Sequence, residues 1–175
     1  MMEKLIFQKP AADMESAALN YKKEFCQAGE MVIHGDAMLD SMDYDLWLKQ
    51  TLENWEKETV HDNWVQSSTF FVVRESDGRI IGMIDIRHTL NDFLAAYGGH
   101  IGYSVRPSER RRGYAANMLQ MALAYAKSIG LDRVMLACNQ DNEASQRTIV
   151  KCGGKLEREF VDTDGKIVQV YWIAL

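Results

Sequence analysis

Apolar residues recur along the chain with two periods, and the switches between them divide it into elements. From Tyr114 to Ile129 the set Ala115, Met118, Leu119, Ala122, Tyr125, Ala126 and Ile129 follows one face of an α-helix. Gly130 is a fitting end to it. A second helix is predicted from about Asp43 to Glu58, where Leu46, Leu48, Leu52 and Trp55 stand at near-helical spacing and acidic residues fill the first turn, which the helix dipole favours. Ala11 to Gln27 predicts a third, stopped at Ala28-Gly29.

Elsewhere the runs are short and rich in Val, Ile and Phe. Thr69 to Arg74 and Arg79 to Arg87 flank Asp77-Gly78, a strong turn pair, and predict a hairpin. Lys4 to Lys9 reads as a first strand, and His100 to Val105 as another that stops at Pro107, which has no N–H for a ladder. Val134 to Cys138 is a strand and Asn142 to Cys152 a short helix ending at Gly153-Gly154. Leu156 to Val161 pairs with Ile167 to Ile173 across Asp164-Gly165. The order β, α, α, β, β, β, α, β, α, β, β predicts an α/β (α+β) domain with helices on both faces of a mixed sheet.

Composition narrows the picture. A chain of 175 residues, 47 % hydrophobic with two prolines, fits one globular domain over residues 1–175. No apolar run approaches the roughly 20 residues needed to cross a bilayer. The start, Met1 to Pro10, meets a charge and a proline before any signal-peptide core, so secretion is not expected and the cytoplasm is the expected location. Cys26, Cys138 and Cys152 are odd in number and far apart, which predicts reduced core thiols with no disulfide and no metal site. A net charge of −5 argues against nucleic-acid or membrane partners. The charge is uneven: Asp36 to Glu58 holds seven acidic residues and two lysines, whereas Arg106 to Arg112 holds four arginines against Glu109.

That basic stretch falls between a strand and a helix. The first N–H groups of a helix are unpaired and point outward, so Arg110-Arg111-Arg112-Gly113-Tyr114-Ala115 is a candidate pyrophosphate site. Gly113 brings the backbone close to an anion, Ala115 keeps the helix start open, and the arginines add charge. A solvated turn is the plainer alternative for such a loop taken alone. In context, Ile101-Gly102-Tyr103-Ser104-Val105-Arg106-Pro107 followed by Arg110-x-x-Gly113-x-Ala115 resembles the signature of the GNAT acetyltransferase superfamily, (Arg/Gln)-x-x-Gly-x-(Gly/Ala). Asn142-x-x-Ser145 through Lys151-Cys152-Gly153 is similar to the family's next helix. The resemblance covers residues 69–154, and the N-terminal third only by helix order.

The resemblance implies the GNAT fold, a mixed, mostly antiparallel sheet whose fourth and fifth strands splay apart, with acetyl-CoA as acyl donor in the gap. Its pantetheine arm would lie against the backbone of Tyr103, Ser104 and Val105, and its pyrophosphate would take N–H groups from Arg111 to Ala115. Asn142 and Ser145 would approach from the far side, Asn142 being equally a plain helix N-cap. In one respect the chain departs from the family. Many members carry a tyrosine four residues before the glycine that ends this helix, to protonate the departing thiolate, and that position is Ile149 here.

An amine acceptor must lose a proton before it attacks the thioester, so a base or water is required. The candidates are Asp85, His88, His100 and Glu159. His88, in the polar run that ends a hydrophobic strand (Ile84 to Asn91), comes first, with a surface histidine as the plain alternative. His100 comes second, and Asp85 is an orienting partner for either. His34, between the first two helices, is assigned to loop packing. The function expected is acetyl transfer from acetyl-CoA directly to a primary amine of a small molecule or peptide. The acidic segment from Asp36 to Glu58 suggests a cationic acceptor. A homodimer, other acyl groups and an acyl-CoA-binding regulatory module without turnover stay open.

Overall fold

The computed structural model of the chain describes residues 3–175, so Met1 and Met2 of the N-terminal stretch lie outside the described residues. The elements run β1 (Leu5–Gln8), α1 (Glu15–Gln27), α2 (Tyr44–Glu53), β2 (Ser67–Arg74), β3 (Ile80–Arg87), β4 (Ile101–Val105), α3 (Tyr114–Ser128), β5 (Arg133–Asn139), α4 (Glu143–Lys151), β6 (Lys155–Val161) and β7 (Ile167–Ala174). They form two antiparallel sheets, ordered β1-β2-β3-β4 and β5-β7-β6. The α/β architecture expected from the sequence stands, with antiparallel ladders throughout and helices on both faces.

Strand β2 is buried at all eight positions because both its faces are covered, which is why it reads as a continuous apolar run rather than an alternation. Phe70 and Val72 point to a core shared with Met118, Leu119, Ala122 and Ala126 of α3. Phe71 and Val73 point the other way, to Tyr21 and Phe25 of α1 and Trp47 of α2. The partner strand β3 carries one extra residue, since Val72 faces Gly82 while Val73 faces Ile80. That bulge flips the alternation, so Ile80 and Met83 join the α1 side while Ile81, Ile84 and Ile86 join the α3 side. The α3-side core also takes in Val134, Leu136, Tyr171 and Ile173, so it runs under both sheets.

Helix α2 differs from its prediction. It ends at Glu53, and Asn54 is buried with its carbonyl accepting from the Ser67 N–H (2.8 Å), which turns the chain toward β2. Its buried face is Tyr44, Trp47 and Thr51, while Leu46 is 61 % exposed. Burying two large aromatics outweighs burying leucines, because each aromatic side chain removes more apolar surface from water. Of the three thiols Cys138 is buried, but Cys26 is exposed and so is no core residue. No helix among the described residues is long and apolar enough to cross a membrane.

Candidate active site

The two sheets part between β4 and β5. They touch at the Gly99–Leu136 bridge and where the His100 N–H meets the Met135 carbonyl (2.7 Å), and no ladder continues from there among the described residues. The gap opens into a cleft of about 860 Å³, with β4 from Ile101 to Val105 on one wall and Leu136 to Asn139 of β5 on the other.

The ladder fixes what β4 shows to this cleft. In an antiparallel pair, every second residue turns both backbone groups toward its partner. The Arg87 N–H bonds the His100 carbonyl (2.8 Å) and the Arg106 N–H bonds the Ile81 carbonyl (2.7 Å), so Gly102 and Ser104 between them face β3 with both groups, while the His100 N–H turns to Met135. The N–H and C=O groups of Ile101, Tyr103 and Val105 therefore point into the gap. Apart from the Val105 carbonyl, which accepts from Arg110 Nε (3.1 Å), they form an unpaired strand edge among the described residues, open to an extended amide chain.

At the far end of β4 the chain turns through Arg111 (φ +63°) and Gly113 (φ +81°) into α3. The first helical bond is Asn117 N–H to the Gly113 carbonyl (3.3 Å), so the N–H groups of Tyr114, Ala115 and Ala116 have no helical acceptor. Successive N–H groups around left-handed residues make a concave anion nest, supported by the positive end of the helix dipole. A Cβ on Gly113 would meet nothing within 4 Å, so the left-handed φ is what demands glycine there.

The arginines contribute less charge than their number suggests. Arg106 is buried and bonded to Glu24 (2.8 Å) and the Ile80 carbonyl (2.7 Å). Arg110 forks onto Glu30 (2.6 and 2.8 Å), and Arg112 pairs with Glu109 (3.0 Å). Glu109, buried, also meets Arg74 (3.1 Å) and Arg79 (3.4 Å), a set that clamps the loop to the sheet. Arg111 has no acidic partner among the described residues and lines the cleft. What the loop offers to an anion is therefore backbone N–H groups and one spare guanidinium.

Ten of the residues expected around the cofactor line the cleft: Tyr103, Ser104, Val105, Arg110, Arg111, Gly113, Tyr114, Ala115, Asn142 and Ser145; Arg112 does not. Asn142 caps α4, its Oδ1 accepting from the Ser145 N–H (3.1 Å). Opposite it, the Tyr103 hydroxyl meets the Ser145 hydroxyl (3.1 Å), and burial pushes the phenol up to about 12. Ile149 is fully buried and lines the cleft. Burial also pushes the Cys138 thiol up.

The base candidates Asp85, His88, His100 and Glu159 are not among the lining residues. The His88 Nε2 meets the Ser68 hydroxyl (2.9 Å), which meets the Tyr125 hydroxyl (2.8 Å), so the ring lies on the α3 side of the sheet; burial lowers its pKa. The His100 Nδ1 accepts from the Met135 N–H (2.9 Å), stitching the seam between the sheets. Burial, with Arg87 and Arg133 nearby, pulls its pKa down to about 4, so the ring is neutral at physiological pH. Asp85 accepts from the Thr69 hydroxyl (2.9 Å) and pairs with Arg87 Nε (3.0 Å), orienting that arginine rather than a histidine. Glu159 is exposed and accepts from the Gln169 side chain.

Residues that the sequence did not single out for the site fill the end of the cleft away from the nest: Arg87, Tyr97 and His34 with Gly35. Gly35 (φ +73°) lies so close to β4 that a Cβ there would fall 2.2 Å from the Gly102 carbonyl oxygen, and this contact holds His34 over the strand. For Arg87 a signal was available. Strand alternation sets it with Asp85 on one face and His88 on the other.

A free strand edge leading into an anion nest defines a cleft for a ligand with an extended amide arm and phosphates. The sequence model of the acetyltransferase (GNAT) family matches residues 40–153, and the chain belongs to that family of acetyltransferases. No curated protein matches the sequence at a significant level. Among solved structures, the fold is similar to the microcin C7 self-immunity acetyltransferase MccE in complex with acetyl-CoA and AMP (TM-score 0.74, 15 % identity, covering 98 % of this chain and 93 % of that one). It is also similar to a GNAT-family acetyltransferase from Bacillus anthracis (0.66, 19 %, 99 % and 96 %). A spermidine N-acetyltransferase SpeG chimera from Vibrio cholerae and hSSAT matches at 0.64 and 17 %, covering 97 % and 95 %. The described residues hold no group of three or more His, Cys, Asp or Glu suited to a metal ion.

Proposed function

We propose that this acetyltransferase moves the acetyl group of acetyl-CoA directly onto an amine nitrogen of a small molecule or peptide. The observation that carries the reading is the unpaired edge of β4 leading into the nest at Gly113. Tyr103 and Val105 would pair with the amides of the pantetheine arm, and the N–H groups of Gly113 to Ala116 with the phosphates, aided by Arg111. Asn142 and Ser145 would close the other wall. The MccE neighbour, described in complex with acetyl-CoA, supports this assignment.

Bound there, acetyl-CoA supplies an activated acyl group. The remaining task is proton removal, because a lysine-like amine of pKa near 10.4 is neutral only about once in 2,500 at pH 7, a deficit of about 5 kcal/mol. His34 is the histidine that lines the cleft, and it would take that proton directly or through a water. Cys138 is no covalent relay, because its raised pKa keeps it a thiol, which is a weak nucleophile. Ile149 offers no proton, and none is needed: a thiol of pKa about 8.5 leaves as a thiolate at pH 7 at a cost of only about 2 kcal/mol.

The test is free-thiol release from acetyl-CoA across a panel of amines. Amine-dependent release is expected, and His34→Ala should lower its kcat/KM while leaving the thermal shift with acetyl-CoA in place. A thermal shift with acetyl-CoA but no release for any amine would sink turnover and leave an acyl-CoA-binding regulatory module.

A further inference from the structure

We infer that the end of the cleft away from the nest recognises an amine that also carries an oxyanion, a carboxylate or phosphate, and that Arg87 is the residue that binds it. The inference rests on the acetyl-transfer reading above and names the acceptor class for that same site.

Arg87 is the last residue of β3. The bulge-shifted alternation of that strand sets Met83, Asp85 and Arg87 on the α1 side, and Asp85 stands opposite Gly102 of β4. Three of the guanidinium's attachments are internal. Nε pairs with Asp85 (3.0 Å), whose other oxygen is taken by the Thr69 hydroxyl (2.9 Å). Nη1 donates to the carbonyls of Gly98 (3.3 Å) and Gly99 (3.2 Å). Nη2 has no protein partner among the described residues. It lies 3.6 Å from where a Cβ on Gly102 would sit. Gly35 backbone flanks the same spot, its Cα 3.3 Å from that point, so a side chain at Gly102 would crowd both Gly35 and Nη2, and glycine there leaves Nη2 uncovered on that side. A guanidinium fixed along two edges with its third edge in a cleft is preorganised for a carboxylate or phosphate oxygen, because little side-chain entropy is lost when the bond forms.

The surroundings agree. None of the acidic residues between Asp36 and Glu58 lines the cleft. Asp36 accepts the N–H groups of Met38 (3.0 Å) and Asp40 (2.6 Å) within its own loop, and Glu53 pairs with His61 (2.7 Å). The segment that suggested a cationic acceptor thus brings no carboxylate to the cleft. Beside Arg87, Tyr97 lines the cleft and packs on Phe93 (5.4 Å) and Phe160 (5.2 Å), an aromatic wall for the acceptor's apolar part. Asp85 offsets the charge of Arg87, so recognition works through donors at contact range, not a long-range field.

The experiment compares phenylalanine, phenylalaninamide, 2-aminoethyl phosphate and spermidine as acceptors for the wild type, Arg87→Gln and Arg87→Lys. Phenylalanine or 2-aminoethyl phosphate should exceed both others in kcat/KM by about tenfold or more, the better of the two identifying the oxyanion, with little response to added salt. Arg87→Gln should raise KM for the preferred acceptor about 10- to 100-fold, as expected for a lost hydrogen bond to a charged group, and erase the preference. Arg87→Lys should fall between. The KM for acetyl-CoA should not move, which also reports an intact fold. A binding readout needs no turnover: with CoA present, N-acetylphenylalanine should raise the melting temperature of the wild type more than N-acetylphenylalaninamide does, and not that of Arg87→Gln. Preference for spermidine or the amide, or an Arg87→Gln variant with unchanged selectivity, overturns this inference alone. No response to acetyl-CoA at all overturns the acetyl-transfer reading with it.

Discussion

Gly113 and Gly35 both have a left-handed φ, yet replacing them should fail differently. At Gly113 a side chain meets no protein atom within 4 Å, so Gly113→Val carries mainly the backbone penalty, about 1–2 kcal/mol, or roughly 2–8 °C of melting temperature in a chain of this size. The new side chain would stand beside the nest. The variant should fold and lose the thermal shift given by acetyl-CoA, and a retained shift would move the phosphate site elsewhere. At Gly35 the same backbone penalty adds to a Cβ 2.2 Å from the Gly102 carbonyl oxygen. Gly35→Ala should therefore cost about 3 kcal/mol or more, because backbone must move to admit it. Gly165→Ala is the control, with φ +81° and nothing within 4 Å; comparing the two by denaturant melts separates crowding from φ.

At the scale of elements, what could be read in advance depended on how local the cause was. The Asp77-Gly78 hairpin and the α3 helix are set by neighbours in sequence, and both stand within a residue or two of their predicted bounds. The buried face of α2 is set by what α1 and β2 present to it, so leucine spacing pointed to the wrong stripe. Leu46→Glu should be nearly neutral in a melt, whereas Trp47→Ala should cost about 3–5 kcal/mol, because Trp47 is fully buried and its Nε1 donates to the Asp36 carbonyl (2.7 Å). The five-residue π-helix Leu94–Gly98 carries no periodic signal, and it is what delivers Tyr97 to the cleft. The nest was legible because loop, glycine and helix are contiguous. The far end of the cleft was not, since Arg87, Tyr97 and His34 converge from three distant segments, and His34 read as packing.

Over the whole molecule, two buried groups titrate in opposition. Burial holds the Asp36 carboxyl up to about 7, with Asp40 adding to the effect, whereas His100 is pulled down to about 4. Between about pH 4 and 6.5 the folded chain keeps a proton on Asp36 that the unfolded chain has lost, so that group makes stability fall as pH rises. His100 does the reverse, because the unfolded chain protonates it and the folded chain does not. Each is worth on the order of 3 kcal/mol, so their slopes offset across this window. Asp36→Asn should unmask stability that rises from pH 4 to 6.5, and His100→Gln stability that falls, both read from denaturant melts. If the two variants share one slope, the opposition is wrong. The unpaired edge of β4 has its own signature in time. Amide protons of Gly102 and Ser104 are tied into the sheet, whereas those of Tyr103 and Val105 face the gap between the two sheets. Hydrogen–deuterium exchange along this one strand should thus alternate slow and fast with a period of two residues, and acetyl-CoA should slow only the fast set. The ligand then behaves as the strand that the sheets leave out between them.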